Sequence, residues 1–217
     1  MNGYGRHFGV VGAAVLATVA VGCTSHEPST GASSPASAAQ SSPSSVVASW
    51  AGCTASNVPM TPLDPKADDE PKLELPTPAG WKYSSEMNSP LIRGLVANVG
   101  LRANNFTPNA VVTLEDLTGK VSNAQEGIDA ELAGATKSGL TIDSRTPGTL
   151  CGHQSTTVTY SLQGRAATGL IVVATDAQKV WAATVTVQTS EPDNPTYIAD
   201  KQTILDNFRI VLVSGAS

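Results

Sequence analysis

The sequence predicts an α+β domain, a twisted antiparallel β-sheet flanked by helices, set behind an export signal and a low-complexity tether. Three observations carry this. Strand-like segments precede a capped amphipathic helix, four further apolar or alternating segments follow it with short turns between them, and a second capped helix comes near the end. Strands and helices ordered this way pack as sheet against helix around one core. The roughly 140 residues from Lys72 onward suffice to build one.

The elements follow in order. Lys72 to Leu75 is a short strand ended by Pro76 and Pro78, and Pro78-Ala79-Gly80-Trp81 is a turn that delivers Trp81 to the core edge. Ile92 to Leu101 and Ala110 to Leu117 are strands, the second closed by a turn at Thr118-Gly119. Ser122 with Gln125 three residues on forms a capping box. Ala124, Ile128, Leu132 and Ala135 then recur at helical spacing, and Gly139 is a stop, which gives a helix over 123–138. Leu140 to Arg145, Thr156 to Leu162, Gly169 to Thr175 and Lys179 to Thr189 form a meander with turns at Gln163-Gly164 and Asp176-Ala177-Gln178. In the last segment Trp181, Ala183, Val185 and Val187 share one face, with Ala182, Thr184 and Thr186 on the other. Asn194-Pro195 caps a final helix with Tyr197, Ile198, Ile204, Leu205 and Phe208 on one face, and Ile210 to Val213 adds a last strand.

What precedes the domain is an address. Arg6 and the amino terminus lead into a run from Phe8 to Val21 built of Phe, Gly, Val, Ala, Leu and Thr, the length of a signal h-region and too short to span a bilayer. Ala20-Val21-Gly22 suits ordinary signal peptidase cleavage after Gly22. With Cys23 added, the same residues resemble a bacterial lipobox, although Ala20 stands where Leu is usual. Cysteine arithmetic favours the lipid: the chain has 3 Cys, and an exported protein can pair two of them and leave one over. Cys23 is then the acylated amino terminus, and Cys53 with Cys151 is the disulfide.

The organisation read from the chain is a signal peptide at 1–22, a lipidated Cys23 with a disordered tether over 23–45, a connector at 46–71 and the α+β domain at 72–217. Of the 22 residues in 24–45, 19 are Ser, Thr, Ala, Pro or Gly, a composition that buries too little apolar surface to offset chain entropy. The connector combines a short apolar island, Val46 to Cys53, with Pro59, Pro62, Pro65 and Pro71 around an acidic run at Asp68-Asp69-Glu70.

A turn of the form Pro76-Thr77-Pro78-Ala79-Gly80-Trp81, the strand entry Phe106-Thr107-Pro108-Asn109-Ala110-Val111-Val112 and the closing Asn207-Phe208-Arg209-Ile210, behind a lipobox and tether, resemble the actinobacterial LpqN/LpqT lipoproteins. The resemblance implies a PsbP/Mog1-like fold, a mycobacterial or related cell envelope, and an accessory binding role in envelope assembly or in lipid and glycolipid handling. It brings no catalytic residues with it.

Composition and motifs narrow the chemistry. A net charge of −5, from 13 Lys and Arg against 18 Asp and Glu, excludes a nucleic-acid binder that works by counterion release. No Walker A loop, dinucleotide fingerprint or G-x-S-x-G occurs, so no cofactor or metal is expected. His153 is the one histidine of the domain, and a hydrolase would need it beside Ser155 or Ser161 and a carboxylate. Cys151 and His153 could offer two metal ligands, but no second pair accompanies them. Asp68-Asp69-Glu70 reads as a solvated face before it reads as a calcium site, and the Asn105-Phe106-Thr107 glycosylation acceptor is discounted for a bacterial protein. Trp81, Trp181 and Tyr160 are the residues expected to line a pocket if one exists. The expected partners are the membrane, through Cys23, and an envelope lipid, glycolipid or membrane protein. A structural adaptor for a membrane complex is the alternative.

Overall fold

The computed structural model describes residues 52–213. The signal peptide, Cys23, the tether and most of the apolar island lie outside them. Ten strands and two helices follow in chain order: β1 (Met60–Leu63), β2 (Lys72–Pro76), β3 (Lys82–Ser84), β4 (Ile92–Ala97), β5 (Asn109–Asp116), α1 (Ala124–Lys137), β6 (Ile142–Leu150), β7 (His153–Leu162), β8 (Arg165–Thr175), β9 (Val180–Thr189), α2 (Pro195–Asn207) and β10 (Arg209–Val211). The fold is α+β, as the sequence predicts.

Seven strands form one antiparallel sheet in the order β3-β4-β5-β9-β8-β7-β6, and a small sheet has the order β1-β2-β10. The meander β6 to β9 is stitched by tight turns. Gln163 and Gly164 both take positive φ, +54° and +75°, as do Cys151 and Gly152 at +51° and +80°. Two such residues make the hairpin turn whose twist matches the flanking strands. At the third turn Asp176 Oδ1 accepts from the backbone N–H of Gln178 and Lys179. The chain then returns β9 to pair with β5 along its full length, from Asn109↔Gln188 to Asp116↔Trp181.

The predicted alternation of β9 separates two cores. Trp181, Ala183, Val185 and Val187 join Leu170 and Val172 of β8 and Val112 and Leu114 of β5 against Leu73 and Leu75 of the small sheet and Ile204 and Phe208 of the α2 region. On the opposite face Ile171, Val173 and Ala182 pack under Ile128 of α1. A satellite cluster of Val158, Tyr160 and Ala167 is covered by Leu132 and Leu140. Helix α1 comes close because Gly127 presents no side chain: a Cβ there would meet Val173 Cγ1 at 2.9 Å.

Several expectations need correction. The N-cap of α1 is Asn123, not Ser122: its side chain accepts from Glu126 N, and Glu126 Oε2 accepts from Ser122 N, so the box sits one residue later. The strand expected over Ile92 to Leu101 stops at Ala97 and gives way to a 3₁₀ turn at Val99–Leu101 capped by Asn98. Strand β6 runs five residues beyond Arg145, to Leu150. Ile198 is 45% exposed, off the buried face of α2 formed by Tyr197, Ile204 and Leu205.

The largest revision concerns the connector. Residues 60–63 are a strand, β1, whose Leu63 is 5% exposed in the main core. Four prolines suggested irregular chain, but β1 is an edge strand, where a proline is tolerated because one row of N–H groups has no partner to lose. The folded unit therefore starts before Lys72. The acidic run divides: Asp68 and Asp69 are exposed, as read, with Asp69 meeting Lys179 at 2.9 Å, whereas Glu70 is buried on Arg93 at 2.6 Å.

Candidate functional site

Where β4 and β9 begin and β5 ends, the surface opens into a cleft of about 450 Å³. Pro90, Leu91, Leu114 and Trp181 supply its apolar wall, Glu70 and Arg93 contribute to its buried wall, and Glu115, Asp116 and Lys120 complete it. Register explains the cation. The β4–β5 pairing shifts between Ile92 and Gly94, a bulge that leaves Arg93 without a cross-strand partner in β5. Arg93 is 4% exposed; its Nη2 donates to Glu70 Oε1 at 2.6 Å, while Glu70 Oε2 accepts from Lys66 N at 2.7 Å.

Two donors of that guanidinium, Nε and Nη1, have no acceptor among the described residues, and neither does Trp181 Nε1. Buried donors are expensive to leave unmade, and native structures keep few of them. Here all three belong to residues that line one cleft. The acids nearby are committed. Glu115 faces Lys120 at 3.2 Å, Asp116 faces Lys179 at 3.8 Å, and Lys179 also holds Asp69. Lys179 keeps the Asp69 carboxyl below its ordinary range, and Asp69 in turn raises the Lys179 ammonium. The three nitrogens are buried within residues of the cleft wall rather than exposed at its surface, and Glu115, Asp116 and Asp69 are paired with lysines.

The residues named from sequence scatter around this site. Trp181 lines it. Trp81 does not: it is core, and its Nε1 donates to Asp200 Oδ2 at 2.7 Å. Tyr160 lies across the sheet on the α1 face, its hydroxyl 3.2 Å from Thr186 Oγ1, so the three aromatics do not share a pocket. Cys53 and Cys151 are joined in a disulfide. His153 is half-buried, burial lowers its pKa, and it hydrogen-bonds neither Ser155, Ser161 nor any carboxylate among the described residues. No cluster of three or more His, Cys, Asp or Glu side chains placed for a metal occurs among the described residues. Asn105 sits exposed in the loop before β5 at φ +59°. Sequence reading missed Arg93 and Glu70. The available signal was a lone arginine inside the apolar run Leu91 to Val96.

The family model described as "Probable lipoprotein LpqN" matches residues 53–211. The chain belongs to the Lpp-LpqN family. Among solved structures, LpqN of Mycobacterium tuberculosis, described as involved in cell envelope biogenesis, aligns with a TM-score of 0.56 at 20% identity, over 71% of this chain and 92% of that one. At that identity the likeness to LpqN speaks for the fold. A protein of unknown function from Pseudomonas aeruginosa aligns at 15% identity and a TM-score of 0.38, over 73% of this chain and 99% of its own. No curated protein matches the chain. The Lpp-LpqN match begins at Cys53, ahead of β1, in accord with a folded unit that starts before Lys72. No helix among the described residues is long and apolar enough to cross a membrane.

Proposed function

We propose that this Lpp-LpqN protein is exported, cleaved before Cys23, acylated on that cysteine and held on the extracytoplasmic face of the cell membrane. There it acts by binding rather than by catalysis, as an accessory protein in envelope assembly or in lipid and glycolipid handling. Membership of a lipoprotein family supports the anchor, and the envelope role described for LpqN supports the setting.

The observation that carries a binding role is the set of three unpaired N–H donors on Arg93 and Trp181 beside the apolar wall of one cleft. An amphiphile with acceptor oxygens at one end and hydrocarbon at the other meets both demands once side-chain movement in the wall brings these buried donors to the cleft surface. Native mass spectrometry of the protein released gently from its own membrane tests this. The reading expects an acyl adduct and a co-purified small amphiphile. It expects Trp181→Phe, which keeps a ring and deletes one donor, to lower the occupied fraction about tenfold, the worth of one hydrogen bond. Equal occupancy in the two proteins would remove the cleft from the account.

A further inference from the structure

The connection between β1 and β2, residues 64–71, brings Glu70 into the cleft wall. Asp64 to Asp69 are all exposed, and the hydrogen bonds to backbone N–H within the segment are its own: Glu70 N donates to Ala67 O at 3.3 Å, and Lys66 N donates to Glu70 Oε2 at 2.7 Å. Two acidic side chains hold this strap down. Asp69 meets Lys179 at the surface, and Lys179 Nζ lies 5.8 Å from the centre of the Trp181 ring. Below it, Glu70 and Arg93, 7% and 4% exposed, form the most deeply buried ion pair among the described residues. Yet that pair is incomplete. Glu70 Oε2 is taken by Lys66 N, so the carboxylate accepts a single bond from the guanidinium, at Nη2, while Nε and Nη1 stay without an acceptor. A guanidinium is built to meet one anion through two parallel bonds.

We infer that the strap is a built-in competitor: Glu70 stands in for the anionic head of a ligand at Arg93, and an amphiphile headed by a carboxylate or phosphate enters the cleft by displacing Glu70 into water. This rests on the binding role proposed for the cleft and adds to it the charge of the head and a gate. In the closed form the guanidinium is shut in, and the displacement of Glu70 is what uncovers it. The incoming anion then takes over Nη2 together with one of the idle nitrogens beside it, and the hydrocarbon lies along Pro90, Leu91, Leu114 and Trp181. The exchange is favoured on both sides. A buried carboxylate that leaves regains its hydration, which offsets much of the attraction it gives up, and Arg93 gains a two-bond partner for a one-bond partner. The outer tie, Asp69 to Lys179, is a surface pair and resists little.

Nuclear magnetic resonance titration of residues 23–217 carrying Cys23→Ser tests the inference, with n-decyl phosphate, n-decanoate and n-decanol as probes below their micelle concentrations. The account expects both anions to shift the Trp181 indole N–H, assigned with Trp181→Phe, and to move the Lys66 amide upfield as its bond to Glu70 Oε2 breaks. Decanol should leave the Lys66 amide in place. Glu70→Gln removes the competing charge and should bind decyl phosphate about tenfold more tightly or better, because apparent affinity falls with the fraction of the protein that is open. Asp69→Asn lies at the surface, clear of the buried pair, and should tighten binding about twofold, so the test survives a Glu70→Gln chain that does not fold. Anions that shift Trp181 while Lys66 stays put, affinities unchanged in the variants, or decanol bound as tightly as decyl phosphate each overturn the strap and leave the cleft as a binding site. If no probe moves Trp181 in any of these proteins, the binding role of the cleft falls together with the strap.

Discussion

Glu131 projects from α1 toward Thr184, whose hydroxyl donates to it at 3.5 Å. Burial, and then the nearby Glu115 carboxylate, push its pKa from 4.5 to about 7. An acid whose folded pKa lies above its unfolded value is penalised when ionised. Its stability contribution is complete below pH 4.5 and is lost as pH rises through about 7. Glu131→Gln should therefore stabilise the fold by about 1–3 kcal/mol at pH 8 and change little at pH 4. Urea unfolding of the two proteins at both pH values checks the sign. The Arg93–Glu70 pair sets a second expectation. Arg93→Met leaves a carboxylate buried without its cation and should cost about 3–5 kcal/mol, whereas Arg93→Met with Glu70→Leu should recover most of that loss. Chemical denaturation of the single and double variants measures the coupling. Neither residue was legible as a site in the sequence, because the two are 23 positions apart and only the bulge in β4 turns Arg93 onto Glu70.

At the scale of elements, the strands that read clearly are those with one or two faces in a core. The β9 alternation was legible because both of its faces are specified, one by the small sheet and one by α1. Strand β1 was not, since Pro62 and its neighbours signal a turn and only pairing with β2, from Met60↔Pro76 to Leu63↔Leu73, makes the segment extended. The caps were legible to within a residue, with Asn194 accepting from Thr196 N and Tyr197 N as its sequence position implies. Asn123→Ala removes the acceptor for Glu126 N and should cost about 1 kcal/mol. Gly127→Val forces α1 away from Val173 and should cost about 1–3 kcal/mol, although helix propensity alone favours valine over glycine. Thermal melts of both variants, with Gly127→Ala as the intermediate case, separate packing from propensity.

For the molecule as a whole, the disulfide closes a separation of 98 residues and so restrains most of the unfolded domain. Replacing Cys53 and Cys151 with Ala should cost about 2–5 kcal/mol. The folded protein should persist, because the main core lies in the two sheets and α2. The same bond fastens Cys53 to the Cys151-Gly152 turn, at the end of the large sheet where Trp181 pairs with Ala174. Composition and the Cys23 context made the export route and the tether readable as expectations, and the family match supports a lipoprotein without locating its anchor. The anchor is the claim on which the proposed role at the membrane depends. Its most direct test is the intact mass of the protein purified from cell membranes, compared with a Cys23→Ser variant. The account predicts that the wild-type chain begins at Cys23, carries diacylglyceryl and further acyl mass, and partitions with membranes, while the Cys23→Ser chain has no lipid mass and is released. An unmodified wild-type chain, or a Cys23→Ser variant equally acylated and equally membrane-bound, would contradict it.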